Sequence, residues 1–186
     1  NQDIIMSEAL SEQFTQWQKK KAEPSGPNPT IKVGKVFMLT QNRWPAQKTA
    51  SVYAGQAVDT VMKQFETFFG TRYEHHTISW VPSMTSVRLE CKEFPKRVNV
   101  LATMYHAAIL DVFNLRGCAS IDEIVDITGI SRGEIVTDGW EMGRWMKPLV
   151  RFKFLVPYTF PDGRRGFTVN TGMRSKHTNI KLTGVP

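Results

Sequence analysis

At 186 residues the chain can form one ordinary domain or two small ones sharing a core. Hydrophobic residues make up 41% and charged residues 22%, which excludes a chain disordered throughout, and no apolar run is long enough to span a bilayer. The net charge of +7 favours acidic partners without choosing between nucleic acid and protein, while two cysteines, Cys91 and Cys118, fit reduced intracellular thiols rather than a disulfide framework.

The polar N-terminus has no initiating Met and no secretory-signal pattern, and we expect a piece of a longer chain. Met6, Leu10, Phe14 and Trp17 recur at helical spacing and predict one apolar stripe, closed by the dipole-favoured cations Lys19, Lys20 and Lys21. AEPSGPNPT reads as a linker. The alternation in IKVGKVFMLT predicts a strand with a bulge at Gly34, ended by Pro45. GQAVDTVMKQFETFFG predicts a helix with Val58, Val61, Met62, Phe65, Phe68 and Phe69 on one face and Gly70 as its C-cap. HTISWV, TSVRLECKE and RVNVLAT read as three strands; in the second, Val87, Leu89 and Cys91 face one way and Arg88, Glu90 and Lys92 the other.

From Thr103 the period becomes helical. Met104, Ala108 and Val112 form one stripe, with Tyr105, Ile109 and Phe113 beside it. Two capping boxes follow, Ser120 with Glu123 and Ser131 with Glu134, the second opening a helix over 132–147. RFKFLVPY and GFTVN alternate around a Pro-Asp-Gly turn. Three helices and a hairpin are the winged-helix order. The expected fold is α+β, a mostly antiparallel sheet with a covering helix followed by a winged-helix subdomain. Its expected segments are 1–22, 30–102 and 103–186.

A winged helix raises a nucleic-acid-binding reading. The 132–147 helix serves it poorly, because Glu134, Asp138 and Glu141 offset Arg132, Arg144 and Lys147, and Gly133, Gly139 and Gly143 weaken a rigid reader. Arg164 and Arg165 on the wing could touch a phosphate. No nucleophile elbow, phosphate loop or metal constellation is present in the sequence, and the adjacent His75 and His76 suit chelation poorly, so neither enzyme activity nor a cofactor is expected.

A set of motifs in order resembles the cullin family, the scaffolds of multisubunit ubiquitin ligases. Asp3-Ile4, Ser7, Leu10 and Phe14 resemble the family's D-I-x-x-S-x-x-L-x-x-x-F, and VFMLTQNRWP its V-x-V-L-x-x-x-x-W-P. Phe65, Phe68 and Phe69 with Ile78-Ser79-Trp80 resemble its F-x-x-F-Y helix and L-x-W strand. TMYHAAILDVFN, Glu123-Ile124 with Thr128-Gly129-Ile130, and the closing Val169-Asn170, Ser175-Lys176 and Ile180-Lys181-Leu182 complete the series. Departures are His75-His76-Thr77 for a basic Gly-Arg, His106 for a Gln, and Asn179 for an Arg.

The resemblance implies a non-catalytic scaffold whose sheet accepts a strand from a RING-finger protein, which in turn holds a ubiquitin-conjugating enzyme. The substrate adaptor would be held by the family's N-terminal stalk, and the modified lysine by its last winged helix; neither is covered here. Carried over, residues 31–39, 78–81, 84–92 and 97–101 would build the receiving sheet, with Val36, Met38, Ile78, Trp80, Val87, Leu89, Val98 and Val100 as its partner-binding side chains. The resemblance implies a location in cytoplasm and nucleus, with neither membrane nor nucleic acid as partner.

Overall fold

The computed structural model describes residues 2–21, 35–40, 50–92 and 94–182. They form two compact units, one of Asn1–Lys48 with Gln56–Ser79 and one of Thr49–Gly55 with Trp80–Pro186. These units cut the chain elsewhere than the expected segments 1–22, 30–102 and 103–186.

The first unit is built on helices α1 (Gln2–Lys21) and α2 (Gln56–Gly70). Aromatic side chains fill the space between them. Phe14 meets Phe65 edge-on at 5.0 Å and Phe68 at 5.4 Å, and Trp17 and Phe69 extend the cluster. Such ring pairs add to the burial of their area. Leu10 and Phe14 are buried as expected, but Met6 is exposed, and Asp3, Ser7 and Ser11 are buried instead. Gly70 is the last helical residue and has no left-handed conformation.

The partner of that polar stripe is the extended segment 35–40. Val36 N–H donates to Ser11 Oγ at 2.9 Å and Met38 N–H to Ser7 Oγ at 2.9 Å, while Thr40 Oγ1 donates to Asp3 Oδ1 at 3.2 Å. Each serine hydroxyl donates backwards to the carbonyl four residues earlier, Ser7 to Asp3 and Ser11 to Ser7. The match is geometric: four helical residues rise about 6 Å and two extended ones about 6.7 Å. The expected 31–39 strand is therefore corrected where it is described: residues 35–40 bond to a helix, not to a sheet. Residues 31–34 with the Gly34 bulge, the linker and Pro45 lie outside the described residues.

The second unit holds two small sheets. β1 (Ser86–Cys91) pairs antiparallel with β2 (Val98–Thr103), which is followed directly by helix α3 (Met104–Arg116). The expected 78–81 strand is absent, since residues 76–81 carry no strand. Within this unit α3 packs against β1 and β2; α2, expected as the covering helix, belongs to the first unit. After α3 come β3 (Cys118–Ser120), α4 (Ile121–Thr128), α5 (Arg132–Ile135), α6 (Met146–Arg151), β4 (Leu155–Thr159) and β5 (Arg165–Val169). The second sheet has the order β3-β5-β4, antiparallel throughout.

The Ser120–Glu123 capping box forms, with Glu123 accepting from Ser120 N–H at 2.8 Å, and Gly129 ends α4 in the left-handed conformation. The second expected box does not. Ser131 Oγ donates to the Glu134 carboxylate instead, and α5 stops after one turn. The expected 132–147 helix is thus broken. Val136 and Met142 bridge across a tight loop, and helix resumes only at Met146. Residues after β5 also depart from expectation. Strand β6 (Asn179–Lys181) leaves the second sheet and pairs parallel with β2, burying Ile180 and Leu182.

Candidate partner-docking edge

The first sheet has the order β1-β2-β6, so β2 is central and β1 is an edge. Its ladder can be phased from flanking bonds. Met104 N–H donates to Thr85 carbonyl at 3.2 Å, in line with the β1–β2 register. Antiparallel pairs alternate between bonded and non-bonded. The bonded pairs are therefore Val87–Ala102, Leu89–Val100 and Cys91–Val98. On the other side of β2, Asn99 N–H donates to Thr178 carbonyl at 2.7 Å, which gives the same phase. The N–H and C=O groups of Ser86, Arg88 and Glu90 consequently point away from β2, and β1 pairs with β2 alone among the described residues.

Side chains follow the same alternation. Val98, Val100 and Ala102 of β2 are fully buried, whereas Val87, Leu89 and Cys91 of β1 are only half-buried. The inner face is thus less covered toward the edge. Burial pushes the Cys91 thiol pKa up, which keeps it protonated and unreactive. On the outer face Glu90 lies 3.4 Å from Arg97 and 3.8 Å from Lys92, exposed pairs worth about 0–1 kcal/mol each. Edges of this kind are usually blunted by charge or left for a partner.

The eight expected partner-binding residues fall in different elements and are divided between the two units. Val87, Leu89, Val98 and Val100 lie on the inner face of this sheet. Trp80 lies in the same unit but outside any strand, and Ile78 belongs to the first unit. Val36 and Met38 bond to α1 through their main chains. Sequence reasoning missed Ser86, Arg88 and Glu90, whose main chains form the open edge. The alternation that marks Val87 and Leu89 as inward marks these three by complement, but not which strand is terminal.

Among the described residues no group of His, Cys, Asp and Glu side chains could hold a metal ion, and no helix is long and apolar enough to cross a membrane. The arrangement offers outward main-chain hydrogen-bonding groups at the β1 edge.

Comparison with known proteins gives a match of residues 38–140 to the cullin alpha+beta domain. The chain is 28% identical over 109 residues to Cullin-1 of Oryza sativa subsp. japonica, 59% of this chain and 14% of the relative. It is 29% identical over 102 residues to Cullin-2 of Arabidopsis thaliana, 53% of this chain and 14% of the relative. Cullin-6 of Caenorhabditis elegans is 23% identical over 104 residues, again 14% of that protein. The matched region is thus a small part of each relative's length. With the family model covering more than half of its residues, this chain belongs to the cullin family.

Proposed function

We propose that this chain is a scaffold segment of a cullin-RING ubiquitin ligase and that its β1 edge receives a strand from a RING-finger protein. The observation that carries the reading is the outward set of main-chain groups at Ser86, Arg88 and Glu90, next to the half-covered row Val87, Leu89 and Cys91. Strand addition takes its affinity from such main-chain bonds and its specificity from alternate side chains. An incoming strand would place apolar residues over that row. The scaffold does no chemistry. It holds a RING-bound ubiquitin-conjugating enzyme near a substrate and so raises effective concentration. The substrate adaptor would be held by a region outside this chain, and the complex would act in cytoplasm and nucleus.

The order from α3 to β5 resembles a winged helix with an interrupted third helix. The nucleic-acid reading loses its reader with that interruption, since α5 and α6 have four and six residues. We assign this region a structural role beside the sheet.

The test is copurification with a RING-finger partner after co-expression. Arg88→Pro removes an outward N–H that β2 does not use, and proline is tolerated on edge strands. The variant should fold and lose the partner. Equal recovery of the partner with Arg88→Pro would exclude the β1 edge.

A further inference from the structure

The terminal strands of the two sheets differ in how open their edges are. In the second sheet β4 is an edge. Asn170 N–H donates to Phe154 carbonyl and Phe160 N–H to Arg164 carbonyl, so the outward groups of β4 belong to Leu155, Pro157 and Thr159. Proline has no N–H, and the middle of that edge is thereby closed to a further strand. The other terminal strands β3 and β6 have three residues each, whereas β1 has six and no proline. Among the described residues β1 is the longest strand edge that its backbone leaves open.

Charged side chains on an edge usually keep a second copy away. On β1 their order does the reverse. Arg88 and Glu90 are exposed on the outer face, on either side of Leu89. Glu90 is held only by the exposed pairs to Lys92 and Arg97, and Arg88 has no ion pair among the described residues. The run Val87-Arg88-Leu89-Glu90-Cys91 is therefore its own complement when a copy of it runs antiparallel.

A two-fold axis through Leu89 sets Arg88 of each copy opposite Glu90 of the other, Leu89 opposite Leu89, and Val87 opposite Cys91. The phase of the ladder agrees. Arg88 and Glu90 carry the outward main-chain groups, so they fall at hydrogen-bonded pairs, and Leu89 falls at a non-bonded pair, where side chains come closest. The half-buried row Val87, Leu89 and Cys91 then meets its own copy, apolar on apolar. An axis through Arg88 or Glu90 would set like charges face to face, which is destabilising, and one through Val87 or Cys91 would overlap less of the strand.

We propose that two copies of this chain pair antiparallel through β1, about a two-fold axis at Leu89, and join their three-stranded β1-β2-β6 sheets into one. The contact uses the same patch on both copies, so it closes at two. It goes beyond strand addition by a RING-finger protein and does not depend on it. A second copy and a RING strand need the same main-chain groups of Ser86, Arg88 and Glu90, so they exclude each other. The dimer is the form in which the edge is covered when no other strand is bound.

The test is sedimentation equilibrium of the whole chain over a range of concentrations. The net charge of +7 on each copy opposes association at long range, so the measurement is made at moderate salt, which screens that repulsion. A monomer–dimer equilibrium should appear. Arg88→Glu alone and Glu90→Arg alone each set like charges opposite one another, and each should weaken dimerisation by about tenfold or more. Both positions are exposed, so the unfolding midpoints should stay near that of the native chain. Mixed in equal amounts, the two variants should pair with each other about as tightly as the native chain pairs with itself. A monomer at every concentration, dimers that survive either single reversal, or a mixture that stays monomeric would each overturn the proposal. A second readout fixes the register. In a chain carrying Cys91→Ser and Cys118→Ser, Leu89→Cys should close an interchain disulfide under mild oxidation, because a non-bonded antiparallel pair holds its Cα atoms about 4.5 Å apart. Arg88→Cys in the same chain lies opposite Glu90 and should not; a cross-link there and none at Leu89 would overturn the axis. Copurification of a RING-finger protein is measured on a different sample, so either reading can fail alone.

Discussion

The ring of His106 takes its proton-free nitrogen, Nδ1, to the main-chain N–H of Thr103 at 3.2 Å, while Thr103 Oγ1 accepts from His106 N–H at 3.4 Å. This is a capping box in which histidine stands in the third helical position, where Glu or Gln is usual. Nδ1 must carry a lone pair to accept that bond, so the proton sits on Nε2. Among the described residues Nε2 is buried without a hydrogen-bond partner, and the ring lies edge-on to Trp145 at 5.5 Å.

Burial lowers the His106 pKa from 6.5 to about 4. The unfolded chain therefore binds this proton more readily than the folded one. The contribution to stability is complete above pH 6.5, declines as pH falls toward about 4, and levels off below that. The full loss amounts to about 3 kcal/mol. Urea midpoints across this window should fall for the native chain and stay flatter for His106→Gln, which keeps the cap acceptor without titrating. An unchanged slope in His106→Gln would assign the pH dependence to other groups.

Gly143 supplies a second test, because its neighbours are main chain. A Cβ there would lie 2.2 Å from Glu134 carbonyl oxygen and 2.7 Å from Ile135 nitrogen. That approach lets Gly143 N–H donate to Ile135 carbonyl at 2.8 Å and draws the 136–142 loop back onto α5. Gly143→Ala should destabilise the chain by roughly 3 kcal/mol or more, since backbone cannot yield as a side-chain tip does. Gly133→Ala and Gly139→Ala meet nothing within 4 Å and should stay within about 1 kcal/mol of the native chain in thermal or urea unfolding. Similar losses at all three would contradict this packing.

The same glycine shows why part of the fold was legible and part was not. Local signals held wherever a local rule decided the structure: the Ser120–Glu123 box, the Phe65–Phe68–Phe69 face, and the alternation of Val87, Leu89 and Cys91. They failed where distant packing decided it. The 132–147 segment has a helical start signal, but the close approach at Gly143 breaks it. Strand β6 joins β2 through neighbours such as Asn99 and Asn179, 80 residues apart, which no local period reveals. For the same reason the inward residues of the candidate edge were readable and its outward main chain was not.

Phasing of the β1 ladder makes a contrast between adjacent residues. Leu89 N–H belongs to a bonded pair with Val100, and Arg88 N–H faces outward. Leu89→Pro should cost about 3 kcal/mol or more, and Arg88→Pro about 1 kcal/mol or less. A lower unfolding midpoint for Arg88→Pro than for Leu89→Pro would mean that the ladder is phased the other way, and would move the open edge groups to Val87, Leu89 and Cys91.

The serine stripe of α1 makes the last prediction. Ser7 and Ser11 each accept one main-chain N–H from the 35–40 segment, so neither serine is replaceable by a small apolar residue without orphaning an amide. Ser7→Ala should expose Met38 N–H and Ser11→Ala should expose Val36 N–H, each at about 1–2 kcal/mol. The readout is site-resolved hydrogen exchange. Met38 should lose protection in Ser7→Ala and Val36 in Ser11→Ala, with Phe65 and Phe68 amides in α2 little changed. Ser7→Thr keeps the hydroxyl and should restore Met38 protection. Loss of protection spread evenly over α1 and α2 in either alanine variant would show that the serines support the helix itself rather than the segment laid along it.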